Sequence, residues 1–128
     1  AHRRHQFRGP AFFTGLAFRP DGAVLAAVTE APDLTLRLWN LETKAEAVLT
    51  GHTWHVLGVS FHPGGKLVAT ASQDGTVRLW DAAPPGKELR RFDFSPWGAA
   101  YCVTFTPDGR HLLVGLHSGA VVVLRITP

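Results

Sequence analysis

Several kinds of residue are rare or missing in this 128-residue sequence, and each absence bears on the origin, the location or the covalent structure of the chain. There is no methionine, so we expect the chain to be a processed or excised piece of a longer translation product. The single cysteine, Cys102, cannot form an internal disulfide, which favours a cytoplasmic location over an oxidising compartment. No apolar run approaches the ~18 uncharged residues that cross a bilayer, and no signal peptide is visible. We therefore predict no membrane association.

Charge of one sign is not concentrated anywhere in the chain. The 13 basic and 10 acidic residues are interleaved and give a formal net charge of +3, so the sequence predicts no nucleic-acid surface. Arg3 and Arg4 are interpreted as charges that protect an exposed outer strand from pairing, in preference to contacts with nucleic acid or anionic lipid. Hydrophobic residues make up 45%, with 13 glycines and 9 prolines. This composition is typical of a packed, turn-rich domain, or of part of one.

The sequence contains an internal repeat. Similar apolar runs end in turns at Gly22, Gly65 and Gly109, so the repeat is 43 and then 44 residues long. Further along the repeat, Trp39 and Trp80 occupy the same position in the first two copies. One supersecondary unit is therefore used three times.

Each copy consists of β-rich runs separated by turns. In the middle copy the runs predict four strands, at about His55–Phe61, Lys66–Ser72, Thr76–Trp80 and Lys87–Phe92. No segment shows sustained helical spacing, which excludes an α/β fold. Continuously apolar runs such as Val121–Leu124 indicate sheets that are covered on both faces. We predict an all-β chain of antiparallel sheets that stack on one another.

The middle copy, Gly51–Asp81, resembles a nearly complete WD repeat, the blade unit of a large class of β-propellers. The matching positions are Gly51-His52, Pro63-Gly64-Gly65, Asp74-Gly75 and Trp80-Asp81. The resemblance implies three four-stranded antiparallel WD-type blades over residues 9–50, 51–94 and 95–128, with an outer closing strand at 1–8.

The resemblance also implies a buried hydrogen-bonded network that holds each blade. In the middle copy its members would be His52, Ser72, Asp74 and Trp80. The first copy keeps Asp33 and Trp39 but has Gly9 in the register of the histidine. The third copy keeps none of the polar members, so we expect packing alone to hold its blade.

The N-terminal segment aligns with the outer strand of the middle copy, two repeat lengths further along. The residues of this closing strand are Arg3, Arg4, His5, Gln6 and Phe7. The third copy supplies only three strands of its own, and in the propeller family an N-terminal strand completes the last blade, so that no edge stays unpaired.

Three blades cannot close a ring, because propellers typically have four to eight. The terminal copies are as apolar as the middle one, and exposing both would leave unusually large patches. We therefore predict a head-to-tail homo-oligomer in which the closing strand completes the third blade of a neighbouring chain. A dimer would have six blades and a trimer nine. The alternative is a piece cut from a chain with more repeats.

The sequence offers no convergent set of residues for catalysis and predicts no cofactor. Cys102, between Tyr101 and Val103, is interpreted as a small buried core residue. His52 and His55 are two residues apart but lack further ligands at metal-site spacing, so no metal site is predicted.

Large aromatic and histidine side chains lie in the loops that enter each blade. They are Phe12, Phe13, Trp54, His55 and Trp97. They could form a rim that binds another protein or a peptide, or they could wedge between blades, and the sequence leaves both open. We predict a non-enzymatic protein–protein interaction scaffold that self-assembles to close the ring. The alternative is an engineered or excised propeller fragment whose only activity is self-assembly.

Overall fold

The chain folds into three antiparallel β-sheets joined by turns. The structure is a computed structural model that describes residues 6–9, 11–95 and 98–126. Blade 1 contains β1 (Phe13–Phe18), β2 (Val24–Thr29), β3 (Leu36–Asn40) and β4 (Glu46–Leu49). Blade 2 contains β5 (Val56–Phe61), β6 (Leu67–Ser72), β7 (Thr76–Asp81) and β8 (Lys87–Asp93). Blade 3 contains β9 (Ala100–Phe105), β10 (His111–Leu116) and β11 (Val121–Arg125).

The all-β class and the strands of the middle copy are confirmed, with strand ends within about one residue of those predicted. Strands that follow one another in sequence are neighbours in each sheet, so each blade is a meander. Within the described residues, blade 3 has three strands, as its sequence indicates.

The first turn of each blade depends on a glycine in the left-handed region. Gly22, Gly65 and Gly109 have φ of 74°, 79° and 73°, which side chains with a Cβ rarely adopt. Each donates its backbone N–H to the carbonyl three residues earlier, at 2.7, 2.8 and 2.8 Å respectively. This turn reverses the chain between the first and second strands.

The blades pack side by side through two apolar seams. The innermost strands β1, β5 and β9 are adjacent in that order. Gly58 of β5 is needed for the close approach, because a Cβ there would lie 3.0 Å from the Cα of Cys102 on β9. Seam 1–2 has as its core Val24, Ala26, Val28, Leu36, Leu38, Leu49, Val56, Phe61, Val68, Trp80 and Ala82. Seam 2–3 has as its core Ala69, Ala71, Val77, Leu79, Phe94, Ala100, Val103, Phe105, Leu112, Val114, Leu116 and Ile126.

Each terminal blade has a second face on which several large apolar side chains are exposed in the described chain. On the outward face of blade 1, Leu16 and Phe18 are 63% and 59% exposed. On the outward face of blade 3, Val121 and Val123 are 65% and 59% exposed. These two surfaces, named the outward faces below, lie at opposite ends of the stack.

Two sequence-based predictions about blade 3 are wrong for the single chain. The run Val121–Leu124 is not covered on both faces, because its side chains alternate and only Val122 and Leu124 pack against seam 2–3. Cys102 is exposed and not a buried core residue. Both corrections have one cause, which is that the described residues form no further sheet on that side of β9 and β11.

Within the ranges given above, no helix is long and apolar enough to span a membrane.

Candidate functional site

A chain of hydrogen bonds runs through the interior of blade 2. His52 Nδ1 lies 2.8 Å from Asp74 Oδ2, and His52 Nε2 lies 2.7 Å from Thr70 Oγ1. The indole N–H of Trp80 donates to the same Thr70 oxygen at 2.8 Å. With the imidazole neutral, Nδ1–H donates to the carboxylate and Nε2 accepts the Thr70 hydroxyl proton. The network joins the entry loop of the blade to β6, β7 and the β6–β7 turn.

The hydroxyl in this network belongs to Thr70 and not, as predicted, to Ser72. Ser72 Oγ instead donates to the carbonyls of Trp54 and His55, both at 3.0 Å, and accepts the N–H of Asp74 at 3.0 Å. The two residues lie two apart on β6 and face the same side. Pairing with β7 places Thr70 opposite Arg78, two residues from Trp80, which brings it within reach of the indole.

The Asp74 carboxylate accepts hydrogen bonds from the side chains of His52 and Thr76. It also accepts the backbone N–H groups of Thr53 and Thr76, at 3.0 and 2.8 Å. Burial alone would raise the pKa of Asp74, but the hydrogen bonds from His52 and Thr76 outweigh it and hold this pKa well below its ordinary value. Asp74 is therefore a stable anion at neutral pH.

A buried arginine extends the network toward the outer strand. Arg78 is 3% exposed and places its guanidinium 3.6 Å from Asp74 and 2.8 Å from Glu88 on β8. Neither Arg78 nor Glu88 was among the residues predicted from the sequence. The signal for Arg78 was the pattern Asp-x-Thr-x-Arg-x-Trp, which occurs at both 33–39 and 74–80.

Blade 1 holds its tryptophan by different means. Asp33 accepts from the Thr29 hydroxyl and from Arg37, both at 3.1 Å. The indole of Trp39 donates to the Glu46 carboxylate. It does so because Ala27 stands in the register of Thr70 and offers no hydroxyl.

Two phenylalanines pack on Trp39. The ring of Phe7 stacks on it with centroids 4.7 Å apart and planes at 10°, and the ring of Phe13 meets it edge-on at 5.3 Å. Phe13, one of the candidate rim residues, thus packs on Trp39 within blade 1. In blade 3, Val114 and Leu124 take the registers of Thr70 and Trp80, so the polar links are absent there.

The predicted rim residues divide into exposed and structural members. Phe12 and Trp54 are 78% and 49% exposed. His55 Nδ1 accepts the backbone N–H of Ala31 at 2.8 Å, so it links blade 2 to blade 1. Trp97, Arg3, Arg4 and His5 lie outside the described residues.

A second exposed cluster, which was not predicted from the sequence, lies on the same rim. Tyr101 meets the ring of His117 at 5.4 Å, and its hydroxyl accepts from Gln73 at 3.4 Å. Among the described residues, no group of three or more histidine, cysteine, aspartate or glutamate side chains could hold a metal ion.

Comparisons of the sequence with a family model and with known proteins agree on one family. Residues 43–81 match the model described as "WD domain, G-beta repeat". The chain is 37% identical over 101 residues to Pre-mRNA-processing factor 19 homolog 2 of Arabidopsis thaliana, covering 78% of the chain and 18% of that protein. It is 37% identical over 117 residues to THO complex subunit 3 of Arabidopsis thaliana, covering 87% and 36%. The chain therefore spans about a fifth to a third of these relatives.

Solved structures agree with this assignment. The β-propeller domain of Cps50 (Swd1) from Myceliophteria thermophila superposes with a TM-score of 0.81 at 27% identity, over 95% of this chain and 38% of that one. The structure of U3-55K superposes at 0.84 with 22% identity, over 93% and 38%, and shows the fold alone.

The fold, the repeat and the buried network define a class of protein, the β-propellers built of short antiparallel blades. Within that class the chain belongs to the WD-repeat family, whose propellers serve as protein-binding scaffolds.

Proposed function

We propose that the chain is a non-enzymatic scaffold for protein–protein interaction, and that it completes a propeller ring by head-to-tail association with further copies of itself. The observation that carries this proposal is the pair of exposed apolar outward faces at the two ends of the blade stack. Proteins that stay monomeric rarely expose contiguous apolar patches of this kind.

The outward face of blade 1 resembles the face of blade 2 that packs against blade 1 in seam 1–2. Leu16 and Phe18 lie in the register of Val59 and Phe61. In seam 1–2 those two residues of β5 pack against blade 1. Blade 1 therefore presents the type of surface that receives a preceding blade.

The outward face of blade 3 resembles the face of blade 2 that packs against blade 3 in seam 2–3. Val121 and Val123 lie in the register of Val77 and Leu79, which are in the core of seam 2–3. Blade 3 thus presents the type of surface that receives a following blade. A contact between unlike faces is heterologous, and such contacts build rings when the rotation closes.

No described strand pairs with the outer edge of β11, and this edge gives the closing segment a place to bind. In blades 1 and 2 the strand at this position has an outer neighbour, β4 or β8, whereas β11 is the last strand of its sheet. We propose that residues 3–7 of a neighbouring copy pair there. The stacking of Phe7 on Trp39 supports this, because it directs the chain into blade 1 from the outward face. In the single chain Gln6 and Phe7 are not in a strand.

Solution mass and thiol reactivity together test the assembly. Light scattering after gel filtration should give two or three times 13.9 kDa, and Cys102 should react slowly with a maleimide until the protein is denatured. Val123→Asp should return the mass to that of one chain and expose Cys102, whereas Leu89→Asp, an exposed site on neither outward face, should change neither. A single-chain mass at all concentrations with a freely reactive Cys102 would overturn self-assembly.

The rim is a second candidate surface, for another protein or a peptide. The exposure of Phe12, Trp54 and Tyr101 on one side favours it, because exposed aromatic side chains are frequent binding hot spots. A photo-crosslinking residue at position 54 should capture a discrete partner that one at Glu42, on the opposite side, does not. Equal capture at both positions would argue against the rim and favour self-assembly as the only activity. The cytoplasmic location stays a prediction.

A further inference from the structure

Seam 1–2 is open at its end near the β1–β2 turn. The corresponding end of seam 2–3, near the β5–β6 turn, is filled. In seam 2–3, His62 Nε2 lies 2.9 Å from the carbonyl oxygen of Gly109, and its ring meets that of Phe105 with centroids 5.1 Å apart. Arg19 has the register of His62 in blade 1, but its guanidinium turns back to Asp21 at 2.9 Å. A cavity of about 260 Å³ lies beside it.

The lining of this cavity is continuous with the apolar core between the blades. Val24, Leu38 and Ala82 belong to the core of seam 1–2, and Ala47 packs against that core. Two charged side chains also line it, and both already have partners: Arg19 pairs with Asp21, and Glu46 lies 3.4 Å from Arg37. An occupant with a net charge would find no unpaired group, so the chemistry favours an uncharged one.

Small side chains on β4 and at the residue before it line the cavity. Ala47 lies opposite Leu38, whereas the residue opposite the equivalent Leu79 is Arg90. Ala45 similarly stands where β8 has Lys87. At the same two positions β8 carries the longer side chains of Arg90 and Lys87, so the two alanines leave more room beside blade 1.

Among the described residues, no strand pairs with the outer edge of β4. β4 is the last strand of its sheet, and the N–H of Asn40 donates to the carbonyl of Ala45 at 2.9 Å. Antiparallel alternation then directs the backbone of Ala47 toward β3 and that of Glu46 and Val48 away from it.

The two outer strands differ in how they protect this edge. Charged side chains on an edge strand discourage pairing, and β8 carries Lys87, Glu88, Arg90, Arg91 and Asp93. On β4 the one charged residue is Glu46, whose carboxylate is engaged by Trp39 and Arg37. The edge beside the cavity is therefore the less protected of the two.

We propose that β4 and this cavity together form a docking site for an extended, uncharged segment of a partner protein. The segment adds as a fifth strand to blade 1 through the backbone of Glu46 and Val48, and it places one leucine- or phenylalanine-sized side chain in the cavity. The cavity exceeds several-fold the roughly 30 Å³ that one water occupies in the liquid. The inference rests on the proposed scaffold role but not on ring closure, because the cavity lies within a seam of one chain.

Fluorescence anisotropy with synthetic peptides tests the site on the full chain. The probe is a labelled seven-residue peptide of alternating threonine and valine with leucine at its centre. It should bind saturably, and versions with alanine or aspartate at the centre should bind about tenfold more weakly, because burial of the leucine side chain is lost. N-methylation of the backbone amides that face β4 should abolish binding, whereas N-methylation of the alternate amides should not.

Two substitutions import the residues that β8 carries, so the fold already accommodates them in this register. Ala47→Arg and Ala45→Lys should each weaken binding of the leucine peptide about tenfold, with an unchanged thermal unfolding curve. Leu89→Arg on β8 is the control and should change the affinity for the leucine peptide by less than about twofold. Equal binding of the leucine and alanine peptides, full binding by Ala47→Arg, or no saturable binding by any peptide would each overturn the proposal. None of these outcomes bears on the solution mass or on Cys102 reactivity.

Discussion

At the residue scale, one hydroxyl determines how blade 2 holds its tryptophan. Thr70 Oγ1 joins His52 to Trp80, and no buried side-chain nitrogen or oxygen of the described residues lacks a hydrogen-bond partner. Blade 1 has alanine in that register and uses Glu46 and two phenylalanine rings instead. The same indole position is thus held by polar contacts in one blade and mainly by packing in the other.

Thr70→Val should destabilise the chain by about 2 kcal/mol, because it keeps the shape of the side chain but leaves two buried polar groups without a partner. Urea denaturation measures the loss, and the indole N–H resonance of Trp80 should shift. Ser72→Ala is the control: it removes a different hydroxyl of β6 and should leave that resonance in place. If Ser72→Ala moved it as far as Thr70→Val does, the assignment of Thr70 would be wrong.

Asp74 should make the stability of the chain depend on pH. Its native pKa lies below the ordinary 3.8, so its contribution is fully present above the unfolded pKa and is lost as the pH falls toward the native one. Asp74→Asn should therefore be less stable than the natural chain by about 2 kcal/mol at pH 7.

The stability difference between the two proteins should narrow from about pH 5 downward. Urea denaturation at pH 7, 5 and 3 measures it. Asp33, whose pKa is also lowered, is present in both proteins and cancels. The exposed Glu42→Gln variant is the control and should show no such narrowing. A constant difference between Asp74→Asn and the natural chain would contradict the buried-anion account.

The resemblance placed His52, Asp74 and Trp80 in one network, and the structure brings these three together. The resemblance indicated Ser72 instead of Thr70, because both hydroxyls face the same side of β6. Only the pairing register with β7 separates them. Arg78 and Glu88 were overlooked because charged residues are expected at the surface, whereas the carboxylates on both sides make burial of Arg78 tolerable.

At the element scale, β11 differs from the other third strands of the blades in having one free edge. The N–H of Ile126 donates to the carbonyl of Arg110, and alternation along the ladder turns the amides of Leu124 and Val122 toward β10. The amides of Val121 and Val123 then face the free edge. These two amides report directly on whether a closing strand is bound.

Hydrogen exchange should show protection of Val121 and Val123 that depends on protein concentration. Where the chain associates, pairing with the closing segment should slow their exchange, and dilution should restore fast exchange. Val122 and Leu124, bonded within the sheet, are internal controls and should change little. Fast exchange at both positions in a confirmed oligomer would exclude strand completion while leaving association itself intact.

The strands of the middle copy could be predicted from the sequence because turn residues and apolar runs are local signals. The exposure of Val121, Val123 and Cys102 could not, since it depends on what lies against blade 3. An apolar run shows that a face should be covered but does not identify what covers it. The cavity beside β4 was equally hidden, because it arises from a difference between two seams that only the packed structure displays.

At the scale of the whole molecule, three blades leave two unlike outward faces, and this asymmetry distinguishes the possible assemblies. A head-to-tail contact joins the outward face of blade 3 to that of blade 1 in the next copy. A symmetric contact would instead join like to like. The substitutions Leu16→Asp and Val123→Asp each disable one face, so their effects differ between the two arrangements.

In a head-to-tail assembly neither variant should associate alone, because every seam needs both faces. Mixed in equal amounts, the two variants should form pairs, since the intact blade 3 face of Leu16→Asp meets the intact blade 1 face of Val123→Asp. These pairs should stop at two chains and be weaker than the natural assembly, having one intact seam. Analytical ultracentrifugation of each variant and of the mixture measures this. Self-association of either variant by itself would show a symmetric contact and rule out the head-to-tail ring.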